Sequence, residues 1–383
     1  MSCVRRRSLK GRYWSGGLGF RRFVVEKSKE KLIVDTFAKL GIKVEVLGIT
    51  CGVTYSLFEL GYNELTTLAK ILASQDDLAI TLSVEDVRIA PVPVKNAVGL
   101  EVPNRERAWV DFDSFTDALE ASKKLRIPVA LGKDVSGKPI IIDLASCAHL
   151  LVAGNPGTGK TMFYNSLICS ILRTKSAEEV SFAIVDTKGV EFPVYNGNPG
   201  SPRDSHLLLP VITKVSDAFD FLDNLLIEID MRIKLFNEAG VRNIEDYNCL
   251  ASEGLSAGQD LGQRKLPYIV VLVDEFSRLM MEDGKRFETL IKQITDTAKF
   301  CGIHLVISTN RCSADIITGV IKNSFPSLIA FAVSSSLNSM IILDQPGAEK
   351  LLGSGDMLFC LRRRGLNRVQ GAMVDVAKEL QGK

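Results

Sequence analysis

Apolar positions along the chain follow two regimes. In the first, short periodic segments alternate. Residues 27–41 carry Leu32, Ile33, Phe37 and Leu40 at helical spacing, and Gly41 closes the pattern. Residues 43–48 alternate as a strand does, 53–60 predict a second strand, and 65–73 predict a second helix. Two strands are expected near 79–84 and 87–91, and a further one over 98–102 before the turn at Pro103-Asn104. Together these segments predict a small αβ domain over residues 26–105.

From Pro128 the character changes. Residues 129–132 and 139–143 read as a β-ribbon across Ser136-Gly137. Continuous apolar strands then alternate with helices. The strands fall at 149–153, 181–186, 268–274, 304–309 and 328–333, and the helices at 160–173, 216–239 and 284–300. Apolar strands without alternation, separated by helices, indicate a parallel sheet buried on both faces. The expected fold is therefore α/β, with a second domain over 106–383. Residues 196–204 and 250–265, rich in Gly, Ser, Pro or charge, read as exposed loops.

Composition alters this picture little. A net charge of +2 over 383 residues argues against a protein coated in basic charge, although a local basic lining remains compatible with it. None of the eight cysteines pairs at CxxC spacing, which predicts reduced thiols in a cytoplasmic protein and no zinc ribbon. The three histidines are far apart in sequence and predict no metal site. No apolar run is long enough to span a membrane. Residues 1–25 hold Arg5, Arg6, Arg7, Lys10, Arg12, Arg21 and Arg22 but no acid, interleaved with Tyr13, Trp14, Phe20 and Phe23. Three readings stay open for them: a solvated disordered tail, a contact with nucleic acid or an anionic membrane, and a transit peptide.

The chemistry concentrates at strand ends. Gly154-Asn155-Pro156-Gly157-Thr158-Gly159-Lys160-Thr161 fits G-x-x-x-x-G-K-[ST] between a strand and a helix. Its glycines let backbone N–H groups face a β-phosphate, and the helix N-terminus adds partial positive charge. Lys160 is expected on the β- and γ-phosphates of ATP and the Thr161 hydroxyl on Mg²⁺. The strand 268–273 ends in Asp274-Glu275, where Asp274 is expected to hold Mg²⁺ through water and Glu275 to orient and deprotonate the attacking water. Asp186 also ends an apolar strand, as a catalytic-face carboxylate or a turn. Asn310 and Arg311 follow the strand 304–309, where a polar group can sense the γ-phosphate or cap a turn.

Taken together, these motifs resemble the motor domain of the FtsK/SpoIIIE family of DNA translocases, from about residue 26 to residue 370. The resemblance is carried by HLLVAGNPGTGKT at 149–161, PYIVVLVDEF at 267–276, GIHLVISTNR at 302–311, ITGVIKNSFP at 317–326 and ILDQPGAEKLLGSGDML at 342–358. The segment 99–104 looks like the end of the family's alpha subdomain. The resemblance implies a RecA-like P-loop NTPase core, a homo-hexameric ring and double-stranded DNA in its channel, in chromosome segregation at cell division or in plasmid or conjugative transfer. Candidate channel charges are Arg264, Lys265 and Lys322. Measured against the family pattern, membrane helices before residue 26 and a winged-helix domain after Val376 are expected to be absent. Asn310 stands for the usual Gln, Cys312 for Pro, and Ser277-Arg278 for Ala-Asp. Leu328 and Met340 stand where the family commonly has arginines, so a positive group that completes hydrolysis in a neighbouring subunit is expected to be missing or replaced by Arg278 or Arg311. The alternative function is an ATP-binding scaffold with weak hydrolysis.

Overall fold

The computed structural model describes residues 17–63, 66–92, 97–105, 107–196, 206–256 and 264–381. The chain divides into two compact units, Met1–Ala108 and Trp109–Lys383.

The first unit runs α1 (Gly17–Lys39), β1 (Val44–Cys51), β2 (Tyr55–Tyr62), α2 (Leu68–Leu72), α3 (Gln75–Leu82), β3 (Arg88–Val92) and β4 (Ala97–Pro103). The strands form an antiparallel sheet in the order β1-β2-β4-β3. Ile33 and Phe37 of α1 and Leu78 and Leu82 of α3 are buried against Phe58, Leu60 and Leu100 of the sheet. Helix α1 begins at Gly17, within the basic segment; residues 1–16 of that segment lie outside the described residues. One expectation is corrected here. The strand expected near 79–84 is instead the end of α3. Leu78 and Leu82 are four residues apart and both buried, whereas Ile80 is exposed to solvent. Packing of one helical face overrode the β-branched run.

The second unit runs β5 (Val110–Asp111), α4 (Thr116–Ala121), β6 (Pro128–Lys133), β7 (Pro139–Asp143), α5 (Leu144–Cys147), β8 (Leu150–Ala153), α6 (Lys160–Thr174) and β9 (Val180–Asp186). It continues through α7 (Val215–Ala239), α8 (Ile244–Ser256), β10 (Tyr268–Asp274), α9 (Ser277–Thr297), β11 (Ile303–Thr309), α10 (Gly319–Ser324) and β12 (Ser327–Phe331). The last elements are α11 (Ser336–Leu343), β13 (Asp356–Leu361), β14 (Arg364–Met373) and α12 (Val376–Gln381). The sheet order is β7-β6-β14-β13-β12-β8-β11-β10-β9, with β5 on β14. The five strands from β12 to β9 are mutually parallel. β13, β14, β6 and β7 continue the sheet antiparallel. The expected parallel sheet is thus the core of a larger mixed one.

Both faces of that core are covered. Leu150 and Val152 pack with Phe163, Tyr164 and Leu167 of α6, while Leu151 and Ala153 belong to the opposite cluster with Phe219 of α7 and Ile291 of α9. Successive residues of one strand therefore enter different cores, which is why these strands are apolar without alternation. Helix α9 starts at Ser277, ahead of the expected 284, and breaks at Asp283 (φ −150°, ψ 82°). The Asp283 carboxylate then accepts from the Arg286 N–H at 3.0 Å and caps the second segment. Helix α8 runs into the stretch expected to be a loop from 250, and residues 257–263 lie outside the described residues. Among the described residues, no helix is long and apolar enough to cross a membrane.

Candidate nucleotide site

Parallel strands put their carboxyl ends on one edge of the sheet. The turns after β8, β10, β11 and β9 therefore share that edge, and they carry Gly154–Thr161, Asp274-Glu275, Asn310-Arg311 and Asp186–Lys188. β11 lies between the P-loop strand and β10.

The P-loop is pinned on three sides. The Gly154 N–H donates to Thr309 O at 3.3 Å, the Asn155 N–H to Ala332 O at 2.9 Å, and the Gly355 N–H to Thr158 O at 2.8 Å. Two glycines are required sterically. Gly154 has φ 158° and Gly159 φ 123°; a Cβ on the first would lie 2.6 Å from Phe331 Cβ, and on the second 2.7 Å from Gly355 Cα. This contact explains the run at 342–358: Gly355 approaches the loop closely, and the bidentate pair of Arg368 with Asp356 beside it (3.0 and 2.6 Å) is buried. Below the loop, the buried Tyr164 hydroxyl of α6 lies 3.2 Å from both Val273 O and Val306 O, tying the P-loop helix to β10 and β11.

Lys160 is buried, and its ammonium donates to Gly154 O and Asn155 O, each at 2.7 Å. Burial pushes it down to about 8, partly offset by nearby Cys312, Glu275 and Asp274. The Thr158 hydroxyl donates to Asn155 O at 2.7 Å, and Thr161 is half-buried in the first turn of α6. Pro156 and Gly157 form the outer rim of the loop and are exposed.

Asp274 and Glu275 are both buried. Asp274 accepts from the Ser308 hydroxyl at 2.8 Å; burial raises its carboxyl, against the pull of Lys188 and Ser308. Glu275 adopts φ 55°, a left-handed conformation unusual for a residue with a side chain. Its carboxylate accepts from Ser277 Oγ, from Thr309 Oγ1 at 2.9 Å and from the Asn310 N–H at 3.1 and 3.2 Å. Burial pushes Glu275 up, but these donors and Lys188 outweigh it and hold the carboxyl below its ordinary value.

Arg311 points elsewhere: its guanidinium donates to Met281 Sδ at 3.1 Å on the exposed surface. Arg278 donates to Thr187 O at 2.8 Å. Asp186 is a turn former. Its fully buried carboxylate accepts from the N–H groups of Lys188, Gly189, Val190, Glu191 and Phe192, at 3.0 to 3.1 Å. Lys322 donates to Ile341 O at 2.6 Å and pairs with Asp344 at 2.7 Å, so it caps α11, while Arg264 and Lys265 are exposed.

Sequence reasoning missed Lys188. Its ammonium lies 3.2 Å from Glu275 Oε2 and 3.6 Å from Asp274 Oδ2. The available signal was its position two residues beyond a strand-end acid on the catalytic edge.

The FtsK/SpoIIIE family model matches residues 113–314 and the FtsK alpha domain model residues 24–104. "DNA translocase FtsK" of Treponema pallidum (strain Nichols) is 42% identical over 351 residues, 91% of this chain and 43% of that protein. "DNA translocase FtsK" of Oceanobacillus iheyensis is 42% identical over 341 residues, 88% of this chain and 43% of its own length. This chain thus spans less than half the length of those relatives. Among solved structures, the pCW3 conjugation coupling protein TcpA with ATPgS superposes at a TM-score of 0.62 and 22% identity, covering 92% of this chain and 99% of that one. The cytoplasmic domain of the Thermomonospora curvata Type VII secretion ATPase EccC reaches 0.56 at 22% identity, covering 65% of this chain and 29% of that one. With two family models laid end to end over a P-loop that faces a buried carboxylate pair, the chain belongs to the FtsK/SpoIIIE family and carries its P-loop ATPase fold.

Proposed function

We propose that this chain binds ATP with Mg²⁺ and hydrolyses it to move double-stranded DNA, as the motor part of a homo-hexameric ring in the cytoplasm. The observation that carries the reading is that one sheet edge holds both a P-loop, whose Lys160 is buried against Gly154 O and Asn155 O, and the buried carboxylates Asp274 and Glu275, with the Asn310 N–H on Glu275. The donor set suits a hard divalent ion: the Thr161 hydroxyl and the Asp274 carboxylate are oxygens, and the Ser308 hydroxyl orients Asp274. When bound, Mg²⁺ neutralises charge on the phosphate oxygens. The chain's own work is to hold the phosphates with loop N–H groups and Lys160, and to hold Glu275 where it orients a water and takes its proton. The relatives named DNA translocase support DNA as substrate; its duplex form, and a role in chromosome segregation or DNA transfer, are part of the proposal. Contact of the basic N-terminal segment with an anionic membrane belongs to the same proposal; the segment's first sixteen residues lie outside the described ones.

The test is ATP hydrolysis with and without duplex DNA. A several-fold rise with DNA is expected, with DNA affinity falling by about one log-log unit in salt per phosphate contacted. Equal turnover with and without DNA would defeat the translocase reading.

A specific observation favours a second reading, a nucleotide-binding scaffold with weak turnover. Leu328 is 2% exposed in the core, so that position offers no group to a neighbour, whereas Met340 is 44% exposed on α11. Arg278 and Arg311 are held by Thr187 O and Met281. Reduced turnover with retained ATP binding is expected in the wild type. Met340→Arg should raise DNA-stimulated turnover, towards the 10³-fold or more that such groups supply elsewhere. A fast wild type that loses activity in Arg278→Ala or Arg311→Ala would instead show replacement of the arginine. A fast wild type indifferent to all three changes would remove the arginine argument.

A further inference from the structure

Lys188 sits on a built turn. The Asp186 carboxylate gathers the backbone N–H groups of residues 188–192, and Arg278 holds Thr187 O at 2.8 Å from the other side. β9 and β10 are paired in register, with Asp186 opposite Asp274. That register sets the ammonium beside Glu275 Oε2 at 3.2 Å and Asp274 Oδ2 at 3.6 Å. The carboxylate side chains are 11% and 8% exposed and that of Lys188 30%, so the pair is shielded while the cation reaches it from the solvent side.

We propose that Lys188 is a positioning residue that guards the carboxylate pair: it holds Asp274 and Glu275 against a divalent ion arriving alone and yields Asp274 only to an ion that arrives with the nucleotide. This rests on the nucleotide-site reading above. Two adjacent buried carboxylates without a cation form a strong site for any free divalent ion, since like charges at low dielectric repel and a counter-charge relieves them. An ion there ahead of ATP would occupy the oxygens that must orient on the phosphate side. The ammonium competes for the same oxygens. A metal–nucleotide complex also brings phosphate charge, which gives the displaced ammonium a new partner, whereas a bare ion brings only repulsion. Lys188 thereby couples metal entry to nucleotide entry.

The experiment follows free Mn²⁺ by its electron paramagnetic resonance signal, with wild-type protein, Lys188→Met, Lys188→Gln and Lys188→Arg, each with and without ATPγS. Wild type is expected to hold Mn²⁺ well only with ATPγS. Lys188→Met and Lys188→Gln should bind Mn²⁺ without nucleotide at least about tenfold tighter than wild type, as expected when a close charge is removed from a shielded pair. Lys188→Arg should behave as wild type, and Asp274→Asn in the Lys188→Met background should abolish the gain. A lysine that only held the turn, without competing for these oxygens, would leave the nucleotide-free Mn²⁺ affinity unchanged on substitution. Equal nucleotide-free Mn²⁺ affinity in wild type, Lys188→Met and Lys188→Gln overturns the proposal. Failure of the wild type to bind ATPγS at all overturns the nucleotide-site reading and this proposal with it.

Discussion

Replacing Glu275 with Gln is expected to lower ATP turnover by about 10²–10⁴ while ATP stays bound, the range that a positioned acid–base group contributes. The substitution is nearly isosteric. Its amide oxygen still accepts from the Asn310 N–H and the Thr309 hydroxyl, and the left-handed backbone at Glu275 (φ 55°) is unchanged. What goes is the negative charge that pairs with Lys188 and the capacity to take a proton from water. The base must also be free to act. In this structure Ser277, Thr309, Asn310 and Lys188 all face the carboxylate and hold its pKa down, so at least one donor has to leave before it serves as a base. Single-turnover hydrolysis of prebound ATP measures the step directly. Turnover equal to wild type, with ATP binding equal as well, would remove Glu275 from the role.

The sequence made the parallel core legible because its strands are buried on both sides, and runs such as Tyr268–Asp274 admit few other readings. The P-loop and Asp274-Glu275 were legible because their chemistry requires specific residue types at specific spacing. The β13–β14 hairpin was not. Its two-residue turn is Arg362-Arg363, with φ 45° and 57°, where such turns ordinarily signal themselves with Asn or Gly. The ladder is supported instead by the buried Arg368–Asp356 pair, a contact between residues far apart in composition rules though close in space. Lys188 escaped for a related reason. A lysine two residues past a strand reads as solvated surface, and only the register of β9 against β10 brings it to the carboxylates. Lys322, a candidate for the channel by its charge, bonds Ile341 O and Asp344 at the carboxyl end of α11, a contact that sequence spacing did not signal.

Lys160→Ala is expected to abolish nucleotide binding or to cut turnover by at least about 10²-fold, comparable to the loss of one preorganised donor from a charged transition state. The fold itself should survive. Burial lowers Lys160 from 10.5 to about 8, so the folded protein disfavours the charged ammonium, and truncation relieves that cost. Against this stands the loss of two hydrogen bonds to Gly154 O and Asn155 O. The effects oppose one another, and the loop keeps its backbone bonds to Thr309, Ala332 and Gly355. The melting temperature without nucleotide should therefore change little. The difference should appear on adding ATPγS: a ligand at one hundred times its Kd adds about 2.7 kcal/mol to the folded state. Wild type should show that rise in melting temperature and Lys160→Ala should not. Lys160→Arg should fail too, because a residue 7% exposed, its ammonium held between two carbonyls, has no room for a planar guanidinium. A Lys160→Ala protein that melts as wild type does, with and without ATPγS, would show that the loop does not hold the nucleotide through this lysine.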